Sequence, residues 1–175
     1  KYKNIELIPF FSIHEARYMI YFPVMTKKEL QEKLEAIREK EKQKLALEAI
    51  TIDQVAPGEQ QSELDHNFKG EQTESGIHNG RHWRHAYKWF SYDLKDIYKS
   101  AKKLKITYYG LDRDRKFDIF INDNLIASEE LIGNKGNTFF DIDYIIPDII
   151  VKNMKDNILT VKFIAKEGSI AGGIY

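Results

Sequence analysis

From residue 83 to residue 165 the chain repeats one pattern, a short apolar run followed by a turn signal. Trp83 to Leu94 alternates near its end, in "WFSYDL", and Leu104 to Tyr109 leads into the turn "GLDRD". Phe117 to Ile121 sets Phe, Ile and Ile on one side of a strand; "NDN" at 122–124 then passes into Leu125 to Leu131, a hairpin signal. "IGNKGN" separates that hairpin from "TFFDIDYII", Asp148 to Met154 reads as a short helical turn, and Asn157 to Ala165 closes the set. Five or more strands of this length can bury their apolar faces only against one another. The pattern therefore predicts a mainly β chain folded as an antiparallel β-sandwich or jelly roll.

One segment breaks that rhythm. Residues 26–49, "TKKELQEKLEAIREKEKQKLALEA", are the clearest helix. Thr26 and Glu29 form an S/T-x-x-E capping box, with Met25 and Leu30 placed as a hydrophobic staple. Leu30, Leu34, Ile37 and Leu45 mark one narrow apolar stripe, and thirteen of the 24 residues are charged. The stripe lapses at Glu41, so a long coiled coil is not expected. The expectation is an amphipathic connector lying on a neighbouring sheet. Ahead of it, residues 1–25 read as two β segments, Ile5 to Phe11 and Ala16 to Val24.

Composition narrows the function classes. Lys plus Arg and Asp plus Glu each number 27, so the chain has no electrostatic footprint for nucleic acid or an anionic membrane. No run of about 18 apolar residues exists, the length a membrane-crossing helix needs. Cysteine is absent, which rules out disulfides, a thiolate nucleophile and thiolate metal sites within this chain. The chain opens on "KYKNIELIPF" and closes on "GSIAGGIY", and both ends are expected to be cuts in a longer polypeptide.

Candidate chemistry concentrates between residues 53 and 92. Residues 53–82 are polar, hold four glycines and sustain no period, and read as a long ordered loop or a set of short edge pieces. His66, His78, His82 and His85, with Asp65, Glu71 and Glu74, have the ligand types of a zinc site but not the spacing of a known one. A structural calcium held by loop oxygens is a second candidate. Glu59, Glu63, Asp65, Glu71 and Glu74 offer carboxylates for an acid/base pair. Trp83, Tyr87, Trp89 and Tyr92 offer ring faces, and Asn79, Arg81, His82 and Arg84 offer hydrogen-bond donors, the mixture a sugar site uses. A fourth reading makes Gln60, Gln61, His66 and Arg84 ties that hold the loop to the sheet. Trp89 is expected in the core and Trp83 exposed or anchoring the loop. The candidate ligand-binding set is His78, Arg81, His82, Trp83, Arg84 and Glu71. No hydrolase elbow, Walker loop or dinucleotide fingerprint is present.

Longer stretches carry a family resemblance. "IELIPFFSIHEARYMIYFPV" at 5–24 resembles the end of the β-sandwich that follows the catalytic barrel in glycoside hydrolase family 127, the β-L-arabinofuranosidases. "VAPGEQQSELDHNF", "TESGIHNGRHWRHAYKWFSYDLK", "ITYYGLDRDRKFDIFINDNLIA", "FFDIDYIIP" and "LTVKFIAKEGSIAGGIY" resemble the appended C-terminal domain of Bacteroides-type members. The family's zinc-bound cysteine nucleophile belongs to the barrel, so the resemblance carries no catalytic residue to this cysteine-free chain. "FDIFINDNLIA" is similar to hairpins of galactose-binding-like jelly rolls, many of which bind carbohydrate.

The expected organisation is the end of an upstream β-sandwich at 1–25, a connector helix at 26–49 and a C-terminal sandwich at 50–175. The expected function is that of a non-catalytic accessory domain of an exported, periplasmic or extracellular glycoside hydrolase. It would dock on the catalytic module and bind plant polysaccharide. The alternative is a purely structural or dimerisation domain. Nucleic acid and membrane are not expected partners, and no cofactor is expected beyond the candidate calcium.

Overall fold

The structure is a computed structural model that describes residues 24–175. The two β segments expected within 1–25 therefore lie outside the described residues, save Val24. The chain divides into two units at Ile50/Thr51.

In the first unit, helix α1 spans Lys27–Ile50. Its start is fixed by the capping box: Glu29 N–H donates to Thr26 Oγ1 at 3.2 Å, and Thr26 N–H donates back to Glu29 Oε2 at 2.7 Å. No residue of α1 is buried, and Leu30, Leu34, Ile37 and Leu45 are 46%, 44%, 51% and 59% exposed. The charged side chains pair along the helix instead, Lys28 with Glu32 at 3.8 Å and Lys44 with Glu48 at 3.7 Å.

The second unit is the expected antiparallel β-sandwich of jelly-roll type. Its elements in chain order are α2 (Gln60–Asp65), β1 (Lys69–His78), β2 (Arg81–Lys95), β3 (Lys103–Tyr109), β4 (Arg113–Ile121), β5 (Asn124–Ile132), β6 (Phe139–Ile145), α3 (Asp148–Asn153), β7 (Ile158–Ala165) and β8 (Ala171–Ile174). The strand order is β5-β4-β7-β2-β8-β3-β6, with β1 added on β2. β2 is the corner. Its residues 89–95 pair with β7, its residues 84–86 pair with β8, and β1 occupies its other edge. The fold thus has one layer β1-β2-β7-β4-β5 and another β8-β3-β6. The end strands β5 and β6 also touch.

Period-two alternation fills the space between the layers. Phe90 and Tyr92 of β2, Phe117, Ile119 and Ile121 of β4, and Leu159, Val161 and Phe163 of β7 meet Ile106 and Tyr108 of β3 and Tyr144 of β6. Phe90 stacks on Phe163 at 4.6 Å within one layer, and Tyr108 meets Phe117 at 6.3 Å between layers. Tyr108 and Tyr144 bury their hydroxyls against each other at 3.0 Å, so neither is left without a partner. α3 closes one end with Ile150, Val151 and Met154.

Of the two readings of 53–82, the structure shows the set of edge pieces and not the single loop: the stretch contains α2 and the ten-residue edge strand β1. β1 is an edge strand with mostly exposed residues, so no apolar alternation marks it. Trp89 is not a core residue. Phe90 and Tyr92 take the inner positions, and Trp89 lies half-buried with the Lys162 ammonium 4.5 Å from its ring centre. Tyr92, expected as a sugar-facing ring, is 3% exposed.

Candidate functional site

Antiparallel partners share a face of the sheet, so register sorts the candidate residues. In the β1–β2 hairpin His78 pairs with Arg81, Gly76 with Trp83 and Glu74 with His85. These lie on one face. Ile77 with His82 and Ser75 with Arg84 lie on the other. Glu71 stands beyond a bulge, opposite Trp89. The six candidates are therefore not one site.

Arg84 is structural. Its Nε and Nη2 donate to the two oxygens of Glu63 at 2.9 and 2.5 Å, and its guanidinium lies 4.4 Å from the Phe68 ring centre. Glu63 also accepts from Gly58 N–H and from Tyr92 O–H, both at 2.8 Å. Burial opposes ionisation of Glu63, but the Arg84, Gly58 and Tyr92 donors outweigh it and hold the carboxyl below its ordinary value. His66 belongs to the same tether, with Nδ1 2.6 Å from Ser62 O and Nε2 3.1 Å from Asp53 Oδ1. The tethering role expected for His66 and Arg84 is thus formed. Gln61, by contrast, bonds only locally to Asp65, at 2.8 Å. A half-open depression of about 440 Å³, lined by Gly58, Glu63, Phe68, Ser75 and Arg84 among others, lies on this face. Its charged groups are already spent on each other.

Glu71 pairs with Lys88, whose ammonium holds the exposed carboxyl below its ordinary value. His82 sits with its Cβ on the face that Gly58 approaches. Among the described residues, no three His, Asp or Glu side chains converge as a metal site. The carboxylates considered for acid/base chemistry are dispersed as well. Glu63 is held by Arg84, Asp65 by Gln61, Glu71 by Lys88 and Glu74 by His85.

The opposite face is different. Trp83, His85 and Tyr87 follow at every second position of β2, with ring centres 4.8 and 5.6 Å apart. Trp83 lies against Gly76 of β1 so closely that a Cβ there would fall 2.7 Å from a ring carbon. Tyr87 remains 49% exposed. At the hairpin tip His78 packs on Tyr109 at 4.4 Å, and Tyr175 lies 6.4 Å from His78 and 4.9 Å from Phe139. The Arg81 guanidinium covers Phe139 at 4.5 Å.

Behind these rings stands a polar relay. Arg115 Nη1 lies 3.2 Å from His85 Nδ1, and His85 Nε2 lies 3.2 Å from Glu74 Oε2. A guanidinium only donates, so His85 Nδ1 is the acceptor and its Nε2–H donates to Glu74. Burial, then the Arg115 charge, hold His85 below its ordinary value, against the pull of Glu74. Arg115 Nη2 also donates to Asp112 Oδ1 at 3.3 Å. Burial raises Asp112 above its ordinary value, and Arg115, His78 and His85 offset this only in part.

Of the expected set, His78, Arg81 and Trp83 share this face. Asp112, in "GLDRD", read only as part of a turn, and Arg115, just after it in β4, was not singled out. Tyr109 and Tyr175 were not singled out either. No local signal marks these residues, because only the return of β3, β4 and β8 to one end of the sandwich brings them together. Chemically the face offers ring surfaces, one half-buried guanidinium, one half-buried carboxylate and imidazoles.

A family model described as a family of unknown function (DUF6805) matches residues 46–175, well over half of the chain, and the chain belongs to that family. No curated protein matches it significantly. Among solved structures it is similar to the native structure of a family 35 carbohydrate-binding module from Clostridium thermocellum, at 12% identity and a TM-score of 0.44. That match covers 62% of this chain and 85% of the other. No helix among the described residues is long and apolar enough to cross a membrane.

Proposed function

We propose that residues 51–175 act as a non-catalytic accessory domain that binds sugar. It would serve an exported glycoside hydrolase in the periplasm or outside the cell, dock on the catalytic module and hold plant polysaccharide near it. The observation that carries the sugar reading is the ring ladder Trp83–His85–Tyr87 set beside the polar groups Asp112, Arg115 and His78. A sugar presents a C–H face and a hydroxyl rim, and a site for it needs a flat apolar surface and fixed donors and acceptors side by side. The link to a hydrolase rests on the resemblance to the appended domain of glycoside hydrolase family 127.

Affinity electrophoresis in gels containing arabinan, pectic galactan or xylan tests the reading. The wild type is expected to be retarded by at least one polymer. Trp83→Ala, whose ring is only partly buried, is expected to lose that retardation while keeping its melting temperature within a few degrees. Absence of retardation on every polymer would leave a purely structural sandwich as the better account.

A further inference from the structure

Asp112, Arg115, His85 and Glu74 form one line of hydrogen bonds through the turn before β4 and the strands β4, β2 and β1. Asp112 Oδ1 accepts from Arg115 Nη2 at 3.3 Å, His85 Nδ1 accepts from Arg115 Nη1 at 3.2 Å, and His85 Nε2–H donates to Glu74 Oε2 at 3.2 Å. Exposure changes abruptly along the line. The side chains of Asp112, Arg115 and His85 are 13%, 13% and 9% exposed, and that of Glu74 is 55% exposed. The line ends at the surface, on a carboxylate.

The direction of each bond is fixed. A guanidinium only donates, so the imidazole turns its bare nitrogen to Arg115 and its N–H to Glu74. Burial and the Arg115 charge keep His85 below its ordinary value of 6.5, so the ring is uncharged at neutral pH. This sets Glu74 apart from Glu63 and Glu71. Those two face cations, the Arg84 guanidinium and the Lys88 ammonium, whereas Glu74 faces a neutral ring. A carboxylate has about four acceptor sites, and His85 fills one of them. The exposed remainder is available to a ligand.

The surroundings of this carboxylate decide the ligand's chemistry. His85 is the middle ring of the ladder, 4.8 Å from Trp83 and 5.6 Å from Tyr87. Trp83 spreads over Gly76, where an added Cβ would lie 2.7, 2.9 and 3.1 Å from its Cζ2, Cε2 and Nε1, and Tyr87 is 49% exposed. A metal ion would find one carboxylate, since no three ligating side chains converge among the described residues. An anionic sugar would meet the Glu74 charge. A neutral sugar offers a C–H face to the rings and a hydroxyl proton to the carboxylate. An exposed glutamate ordinarily loses rotamer freedom when it binds. One already held from behind loses less, which raises affinity.

We propose that Glu74 accepts a hydroxyl of a neutral sugar lying against Trp83 and Tyr87, and that His85, Arg115 and Asp112 are positioning residues behind it. This rests on the sugar-binding reading of the same face and adds the contact residue and the class of sugar.

Calorimetric titration of the whole chain with xylotriose, galactotriose, arabinotriose and trigalacturonic acid tests it, with Glu74→Gln, His85→Phe and the double variant beside the wild type. A neutral trisaccharide is expected to bind more tightly than the acidic one. Glu74→Gln is expected to weaken that binding by about 10- to 100-fold, the worth of a hydrogen bond to a charged group. His85→Phe keeps a ring but breaks the line, and is expected to weaken binding too. Because His85 acts through Glu74, adding His85→Phe to Glu74→Gln should cost no more than about a further twofold. Thermal melts of each variant run alongside. If a variant does not fold, ¹⁵N spectra of the wild-type His85 ring must show a protonated Nε2 and a bare Nδ1 at neutral pH, with the Nε2–H resonance moving on saturation by the neutral trisaccharide. Full binding by folded Glu74→Gln, or an unmoved resonance, overturns this inference and leaves the sugar reading standing. Additive losses in the double variant, or a protonated Nδ1, overturn the positioning role. Tighter binding of trigalacturonic acid overturns the class of sugar. No binding of any trisaccharide, together with no retardation on any polymer, overturns both this inference and the sugar reading.

Discussion

Glu63 and Arg84 set the cost of a single-residue error. Their side chains are 8% and 11% exposed, and each supplies the other's main hydrogen bonds. Removing one partner leaves a buried charge unpaired, which costs about 3–5 kcal/mol. Arg84→Met is expected to lose stability on that scale in urea unfolding, without weakening sugar binding on the opposite face. The pair also carries a pH signature. The Glu63 carboxyl is held below its ordinary value of 4.5, so its contribution is present above that value and is lost as pH falls through the lower folded value. Asp112 has the opposite sign: its raised value makes a contribution that is present below 3.8 and lost as pH rises through the folded value. Glu63→Gln is expected to flatten the loss of stability below about pH 4.5. An unchanged acid limb would show that other carboxylates dominate it. Beside this pair, "WFSYDL" shows how much a single residue's place depends on counting by two. Phe90, Tyr92 and Leu94 share one face, while Trp89 shares the other with Ser91 and Asp93. The largest side chain drew the core expectation, but the apolar parity belonged to Phe90. Phe90→Ala is expected to cost about 3–5 kcal/mol and Trp89→Ala clearly less, by thermal or urea melts.

At the scale of elements, turns were legible where their chemistry was local. Asn122 and Asp123, at φ 46° and 64°, close the β4–β5 hairpin that "NDN" announced. Asn122 is anchored by its own amide, to Ile158 O at 3.2 Å and from Thr160 N at 2.8 Å, whereas Asp123 is exposed. Asp123→Gly is therefore expected to hold or raise stability by up to about 1 kcal/mol, since glycine adopts the left-handed region without a Cβ penalty. A clear loss of stability in urea unfolding would show that the Asp123 side chain contributes more than the strain it causes. Asn79-Gly80 carries the same signal, at φ 47° and 76°, and closes β1–β2. It went unread because β1 has no apolar alternation. An edge strand is held by its ladder to β2, and hydropathy does not record hydrogen bonds. Helix α1 was legible for the opposite reason, because its cap and charge pattern are written within a few residues. The capping box supplies part of its stability locally. A peptide spanning residues 24–50 should lose helicity by circular dichroism on Thr26→Ala, about 0.5–2 kcal/mol of helix stability.

At the scale of the molecule, the sandwich brings to one end residues that lie far apart in the chain. His78 and Trp83 come from one hairpin, Asp112 from the turn into β4, Arg115 from β4 itself, and Tyr175 from beyond β8. The sequence reading found the sandwich, because alternation and turns are local properties. The candidate set was drawn as one group, and register splits it: His78, Arg81 and Trp83 share a face, His82 and Arg84 take the other, and Glu71 lies beyond the bulge before Thr73. The Asp112–Arg115 pair was out of reach, since its partners are fixed only when β3, β4 and β8 converge. This end of the sandwich is the face proposed to bind sugar. The most direct measurement is an amide and side-chain ¹⁵N NMR titration with an oligosaccharide of whichever polymer retards the protein most, or with xylo-, galacto- and arabino-oligosaccharides if none does. Shifts confined to the Trp83 indole N–H, the Arg115 Nε–H and the amides of residues 74–87, 109–115 and 173–175 are the predicted result. Shifts centred on Gly58, Glu63 and Phe68, or none at saturating sugar, would contradict it.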